Sequence, residues 1–113
     1  MLPKQHRLKK KKDFDLVFKQ GKGASAVHFF LKYYKNNLNI PRVGFICAKK
    51  TAKKAVERNR IKRYLREAVR CFLPLMRQDN DLIILAKPGS VSLDFHQIKD
   101  EINWLFKKAN LMK

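Results

Sequence analysis

Residues 49–70, KKTAKKAVERNRIKRYLREAVR, carry the densest run of chemically capable side chains in this 113-residue chain, and the chemistry they suit is phosphate recognition. Arg58, Arg60, Arg63 and Arg66 offer planar forks that match paired phosphate oxygens. Lys49, Lys50, Lys53, Lys54 and Lys62 add mobile point charges. A solvated face normally mixes its signs, yet Glu57 and Glu67 are the sole acids between Lys49 and Arg70. A helix start in this stretch adds free amide donors and a positive dipole end. Asn59 has two readings: a hydrogen bond to nucleic acid, or a cap on neighbouring backbone.

Other chemistries find little support. A self-sufficient nuclease needs clustered carboxylates for metal ions or a positioned histidine pair. Asp13 with Asp15 reads as a helix start, Asp79 with Asp81 as a turn, and His6, His28 and His96 lie on three separate segments. Each histidine reads as a surface or packing residue. Cys47 and Cys71 form no CxxC pair and have no neighbouring histidine, so no zinc site is indicated; two buried thiols of a cytosolic protein fit better.

A charge run positions nothing unless the chain orders it. Ile61, Tyr64, Leu65, Ala68 and Phe72 recur at the three-and-four spacing of one helix face. At about 100° per residue, Asn59, Lys62, Arg63, Arg66 and Arg70 fall opposite, with Arg58 and Arg60 on the edges. The expected object is a rigid cationic ridge anchored by an apolar underside. Twenty-seven Lys and Arg against nine Asp and Glu give a net charge of +18, which calls for a polyanionic partner. Nucleic acid fits better than a membrane, because no apolar run nears the roughly 20 residues of a span. The basic N-terminus MLPKQHRLKKKK has no apolar core of a secretory signal, so a cytoplasmic protein is expected.

The remaining elements follow from periodicity. Residues 1–12 read as a flexible or loosely docked basic arm on a single RNA-binding domain of residues 1–113. A short helix is expected over 13–20, with Phe14, Val17 and Phe18 on one side and Gly21 as its cap. GKGAS reads as a loop. VHFFLKYY (27–34) and RVGFICA (42–48) alternate as strands about a hairpin-like turn, and LIILA (82–86) reads as a strand buried on both faces. A last helix with Phe95, Ile98, Ile102, Leu105 and Phe106 inward is expected to start at Ser92 as N-cap. The fold class is α+β: a compact sandwich of a small, mostly antiparallel sheet with helices, in the order α-β-β-β-α-β-α.

The segment AVERNRIKRYLREA resembles the signature of the bacterial ribonuclease P protein family, an Arg-Asn-Arg run opening a basic helix, here Arg58, Asn59 and Arg60. RVGFICAKK is similar to that family's strand and two-lysine turn, FDLVFKQGK to its first helix, and LIILAKPG to its late strand. The resemblance implies a left-handed β-α-β crossover, an exception to the usual hand. It also implies the protein subunit of a ribonucleoprotein endoribonuclease that removes the 5′ leader of precursor tRNA. Catalysis there belongs to an RNA subunit and its magnesium ions, with no catalytic or metal-binding protein side chain, and the free protein is expected to be monomeric.

Carried over by position, the RNA-subunit surface comprises Lys49, Lys50, Lys53, Lys54, Arg58, Asn59, Arg60, Lys62, Arg63 and Arg66. The leader would lie in a cleft formed by Phe14 and Phe18 with Phe30 and Lys32. Aromatics there would stack on bases with little regard to sequence; the opposing reading places Phe14 and Phe18 in the core. Lys32 departs from the apolar or aromatic residue expected at its position and would hold a phosphate instead. The rivals are another RNA-binding module, such as a ribosomal protein, or a helix-turn-helix DNA reader. The latter needs a helix directly before the basic one, where this chain has a strand.

Overall fold

The structure, a computed structural model, describes residues 2–113. Its elements run α1 (Lys11–Gln20), β1 (Lys22–Ser25), β2 (Phe29–Lys35), β3 (Arg42–Ile46), α2 (Ala55–Phe72), β4 (Asn80–Ala86) and α3 (Phe95–Lys108). Short 3-10 turns sit at Lys4–His6, Leu73–Leu75 and Ser90–Ser92. This is the expected α+β order. The segment GKGAS, expected as a loop, instead supplies β1, because its backbone pairs with β2 from Lys22↔Tyr33 to Ser25↔Phe30.

The sheet order is β1-β2-β4-β3. β2 pairs antiparallel with both β1 and β4, whereas β3 pairs parallel with β4. The hairpin-like turn expected after β2 is therefore no hairpin: residues 36–41 carry the chain past β4 to the far edge. The reason is burial. Leu82, Ile83 and Ile84 are apolar on both faces and take an interior position, which displaces β3 outward. Asn37 and Asn39, each with φ of 59°, provide the left-handed bends of this connection. The parallel β3–β4 pair requires a crossover, and α2 is that crossover.

Helices cover the two faces unequally. On one face Phe29, Leu31, Val43, Leu82 and Ile84 meet Ile61, Leu65 and Val69 of α2 and Ile98, Ile102 and Phe106 of α3. Each such side chain contributes roughly 1.5–3 kcal/mol on full burial. Edge-to-face ring pairs join Phe72 to Phe106 at 6.0 Å and Tyr64 to Phe95 at 5.9 Å. The other face carries only α1 and the N-terminal arm, with Leu8, Val17 and Ile83 as a small second core.

Within the basic arm, which the sequence reads as flexible or loosely docked, residues 2–8 lie against the fold. Leu2 and Leu8, the apolar residues in a charged stretch, are buried. The Leu8 amide donates to Val43 O at 3.0 Å, and Arg7 Nε donates to Leu2 O at 2.9 Å.

The helix ends also differ in detail from expectation. The N-cap of α3 is Asp94 rather than Ser92: the Asp94 carboxylate accepts from the Gln97 amide at 2.8 Å, and the Gln97 side chain accepts from the Asp94 amide at 2.9 Å. Gly21 does cap α1, but in an extended conformation (φ −78°). Glycine is needed there for space, since a Cβ would stand 2.4 Å from Val17 O and 2.7 Å from Tyr33 O. α2 begins at Ala55, so Lys49, Lys50, Lys53 and Lys54 lie before the helix.

Candidate nucleic-acid interface

The ridge is built as the periodicity requires. Ile61, Leu65, Ala68, Val69 and Phe72 are buried beneath α2. On its outer side Asn59, Arg63 and Arg70 are exposed, and Lys62 and Arg66 are half-buried. A cationic face is useful to a ligand only if its charges are not already neutralised. Among the described residues, Arg70 is held by Glu67 at 3.2 Å, while no ion pair engages Lys62, Arg63 or Arg66. Arg63 lies 5.8 Å from the centre of the Tyr64 ring, which steers its stem without cancelling its charge. Asn59 stands in the second turn and makes no cap; the N-cap is Lys54, with no side-chain hydrogen bond to the helix start. The Glu57 amide turns back to Lys54 O at 3.1 Å, which leaves the Ala55 and Val56 amides of the first turn with capacity for an anion.

Arg58 and Arg60 are placed differently. Arg58 Nη1 donates to Ala52 O and to Lys53 O, each at 2.9 Å. Arg60 Nη2 donates to Val91 O, and its Nε is buried without a protein acceptor. Both guanidinium groups thus face protein carbonyls as well as the helix edge.

The parallel pairing of β3 and β4 brings the loops that follow them to one edge of the sheet. Thr51 Oγ1 donates to Ala86 O at 3.2 Å, joining the lysine-rich turn to the end of β4. Lys49, Lys50, Lys53 and Lys54 project from that turn into solvent. Lys87, one residue past β4, donates to Ser25 Oγ at 2.5 Å and to Ala26 O at 2.7 Å.

α1 lies across the opposite face along one row of cross-strand neighbours, Gly44–Ile83–Lys32–Gly23. The Phe14 ring rests on Gly44, where a Cβ would come within 2.4 Å of it. Val17 packs with Ile83, and Lys32 Nζ reaches Phe18 O at 3.3 Å and Gly21 O at 3.5 Å. One helix about 10 Å wide cannot cover strands of five to seven residues at roughly 3.3 Å each. The next row, Ile46–Leu85–Phe30–Ser25, is therefore left as an open floor beside α1. Ile46, Leu85 and Phe30 are half-exposed, and Phe18 on the wall is 38% exposed.

The structure thus places Phe18 on α1 and Phe30 on the sheet row beside it, with the Phe30 ring over Gly23. Phe14 lies lower on the wall, half-buried against Gly44. The Lys32 ammonium is engaged with the last carbonyls of α1, where a cation offsets the helix dipole. Ile46 and Leu85 complete the floor and were not expected from sequence. Both lie within apolar strand patterns, and nothing local reveals that α1 stops short of them.

On the other side of α1 the row is polar. Asp81, expected in a turn, lies in β4 and is buried. Arg42 Nε and Nη2 donate to its two oxygens at 2.8 and 2.7 Å, and Asn36 Nδ2 donates at 2.7 Å. Its hydrogen bonds to Asp81 hold the Arg42 guanidinium above its usual pKa, against an opposing push from burial. Asp13, on α1, also approaches Arg42 at 3.5 Å. His6 Nδ1 is 2.7 Å from Pro41 O, and His28 Nδ1 is 2.8 Å from Glu101 Oε1, so both serve packing. Of the two thiols expected to be buried, only Cys47 is; Cys71 lies on the exposed side of α2, and burial pushes the Cys47 thiol up in pKa despite nearby Lys62 and Arg58. No helix is long and apolar enough to cross a membrane among the described residues.

Comparison with known proteins bears on this geometry. The family model for ribonuclease P matches residues 2–110. Two ribonuclease P protein components are similar: that of Dictyoglomus turgidum at 36% identity over 98% of this chain and 94% of the relative, and that of Natranaerobius thermophilus at 42% over 94% and 91%. Among solved structures, a mutant RNase P protein from Staphylococcus aureus with defective mRNA degradation activity superposes with a TM-score of 0.90 at 27% identity, covering 96% of this chain and 92% of that one. The RNase P protein from Thermotoga maritima gives 0.81 at 27% identity, covering 89% and 96%.

Proposed function

The chain belongs to the ribonuclease P protein family, and from that premise we infer what its two surfaces do. It is the protein subunit of the ribonucleoprotein ribonuclease P, which acts in 5′ processing of tRNA, and its partner is the RNA of that enzyme. The face of α2, with Asn59, Lys62, Arg63 and Arg66, docks on the RNA subunit. Lys49, Lys50, Lys53 and Lys54 extend that surface from the preceding turn, and Arg58 and Arg60 add their charge at its edges. The cleft beside α1 takes the 5′ leader of precursor tRNA, with Phe18 and Phe30 as stacking surfaces and Ile46 and Leu85 as floor. Phe14 shapes the wall, and Lys32 fixes the end of α1 beside it.

The RNA subunit and its magnesium ions carry out strand cleavage. The protein works in the cytoplasm and is a monomer before assembly. The observation that carries this reading is the junction at one sheet edge: a cationic turn and ridge with few internal ion pairs adjoin a half-exposed apolar floor. Phosphates and unstacked bases are the two features of single-stranded RNA that such a pair of surfaces fits.

Reconstitution with the cognate RNA subunit tests it. At low magnesium the protein should stimulate cleavage, because its cations offset phosphate repulsion that metal ions otherwise screen. The holoenzyme should bind precursor tRNA more tightly than mature tRNA. Equal affinities would remove the leader from the cleft, and cleavage by the protein without RNA would overturn the assignment of catalysis.

A further inference from the structure

We propose that Arg58 and Arg60 are positioning residues that brace the loops following β3 and β4, fixing where the lysines of those loops stand beside the RNA-binding face. This rests on the reading of α2 as the RNA-docking surface and adds a role for two of its side chains.

The geometry begins with spacing. Residues two apart on a helix point about 200° away from each other. Arg58 and Arg60 therefore reach down opposite flanks of α2, and Asn59 between them stays on the exposed crest. One arm closes on the turn before the helix, where Arg58 Nη1 bridges Ala52 O and Lys53 O at 2.9 Å each. Ala52 is buried, so its carbonyl lies in a region with few alternatives to this donor. The other arm closes on the 3-10 turn at Ser90–Ser92, where Arg60 donates to Val91 O.

These two loops are already neighbours. Thr51 Oγ1 joins the first to Ala86 O at 3.2 Å, and the Lys87 amide pairs with His28 O at 2.8 Å. Ala52 and Val91 already pack in the core beneath α2, and the two guanidinium groups add hydrogen bonds from α2 to both loops. Charge-assisted hydrogen bonds are roughly twice as strong as neutral ones. Lys49, Lys50 and Lys53 on one loop and Lys87 on the other then hold fixed places relative to the ridge and the cleft. Both bonds come from the one nitrogen Nη1, and a lysine ammonium ends one bond short of it, so lysine does not reproduce the first contact.

Amide hydrogen exchange in the free protein tests the brace without RNA. The Thr51 and Ala52 amides both bond to Ala48 O, at 3.0 and 3.2 Å, and report on the first loop; the Leu93 amide, bonded to Ser90 O at 3.1 Å, reports on the second. Arg58→Ala should speed exchange at Thr51 and Ala52 on the order of tenfold, the scale set by losing one such bond. Arg60→Ala should do so at Leu93. Leu65 and Ala68 in mid-helix should be unchanged in both, and Asn59→Ala should leave all five amides unchanged. Arg58→Lys should speed Thr51 and Ala52 as well, and it decides alone if the alanine variant speeds Leu65 too and so unfolds globally.

Unaltered exchange at Thr51 and Ala52 in the lysine variant would overturn the brace. So would an unaltered Leu93 amide in a folded Arg60→Ala protein. The salt dependence of RNA-subunit binding separates this from the underlying reading. A lone phosphate contact lowers the slope by about one unit, whereas a released lysine turn in Arg58→Ala should lower it by more. Faster exchange with an unchanged slope would uphold the brace and withdraw α2 from the RNA.

Discussion

Replacing Lys62, Arg63 and Arg66 together by alanine should remove three phosphate contacts while leaving α2 folded. Alanine is the best helix former, and the buried stripe from Ile61 to Phe72 is untouched. The three were chosen because no ion pair engages them among the described residues, whereas Arg70 is held by Glu67 at 3.2 Å. Each contact steepens the dependence of log K on log salt by about 0.7 to 0.9 units. Three together should lower the slope by about 2.1 to 2.7. Taking these contributions to vanish near 1 M salt, the variant should bind the RNA subunit about 100- to 500-fold more weakly at 0.1 M and only about 7- to 12-fold more weakly at 0.4 M. Filter binding across that salt range reads both the slope and the ratio. Loss of affinity by a constant factor at every salt concentration would refute the reasoning, since it would mean that the side chains act through packing and not through phosphate neutralisation.

Phe30→Ala should weaken binding of leader-bearing precursor tRNA by about 1–3 kcal/mol per unstacked base while leaving mature tRNA unaffected; an equal loss for both would remove Phe30 from the leader path. Phe14→Ala, by contrast, should cost about 2–3 kcal/mol of stability in denaturant unfolding, because its ring fills the space above Gly44. Asp81→Ala should cost about 3–5 kcal/mol by stranding Arg42, with the salt slope of RNA binding unchanged. A thiol reagent should label Cys71 rapidly and Cys47 only on unfolding. Because burial raises the native Cys47 pKa, its stabilising contribution is complete below the unfolded value near 8.5 and lost as pH rises through the native one. Stability should therefore fall more steeply above that pH in the wild type than in Cys47→Ala, and parallel pH curves would contradict this.

How much of the molecule was legible in its sequence depends on how far apart the interacting residues lie. The Leu85 floor and the place where the arm docks are not legible because their partners are distant in the chain: Leu8 meets Val43, and Leu85 meets Phe30 and Ile46. Asp81 looked like turn chemistry for the same reason, since the guanidinium that allows its burial is 39 residues away. Arg58 and Arg60 looked like surface cations because no local pattern shows which carbonyl a long side chain will meet.

The amino-acid sequence by itself determined the cationic helix with its greasy stripe, the strand periodicities and the element order, all properties of neighbours within one or two turns. Tertiary structure alone decided that β4 enters between β2 and β3, that α1 crosses only one row of the sheet, and that two loops meet beside α2. Periodicity is set by the backbone's own repeat and can be read locally. Strand partnership is set by burying the most apolar strand on both faces, a competition among all the strands at once.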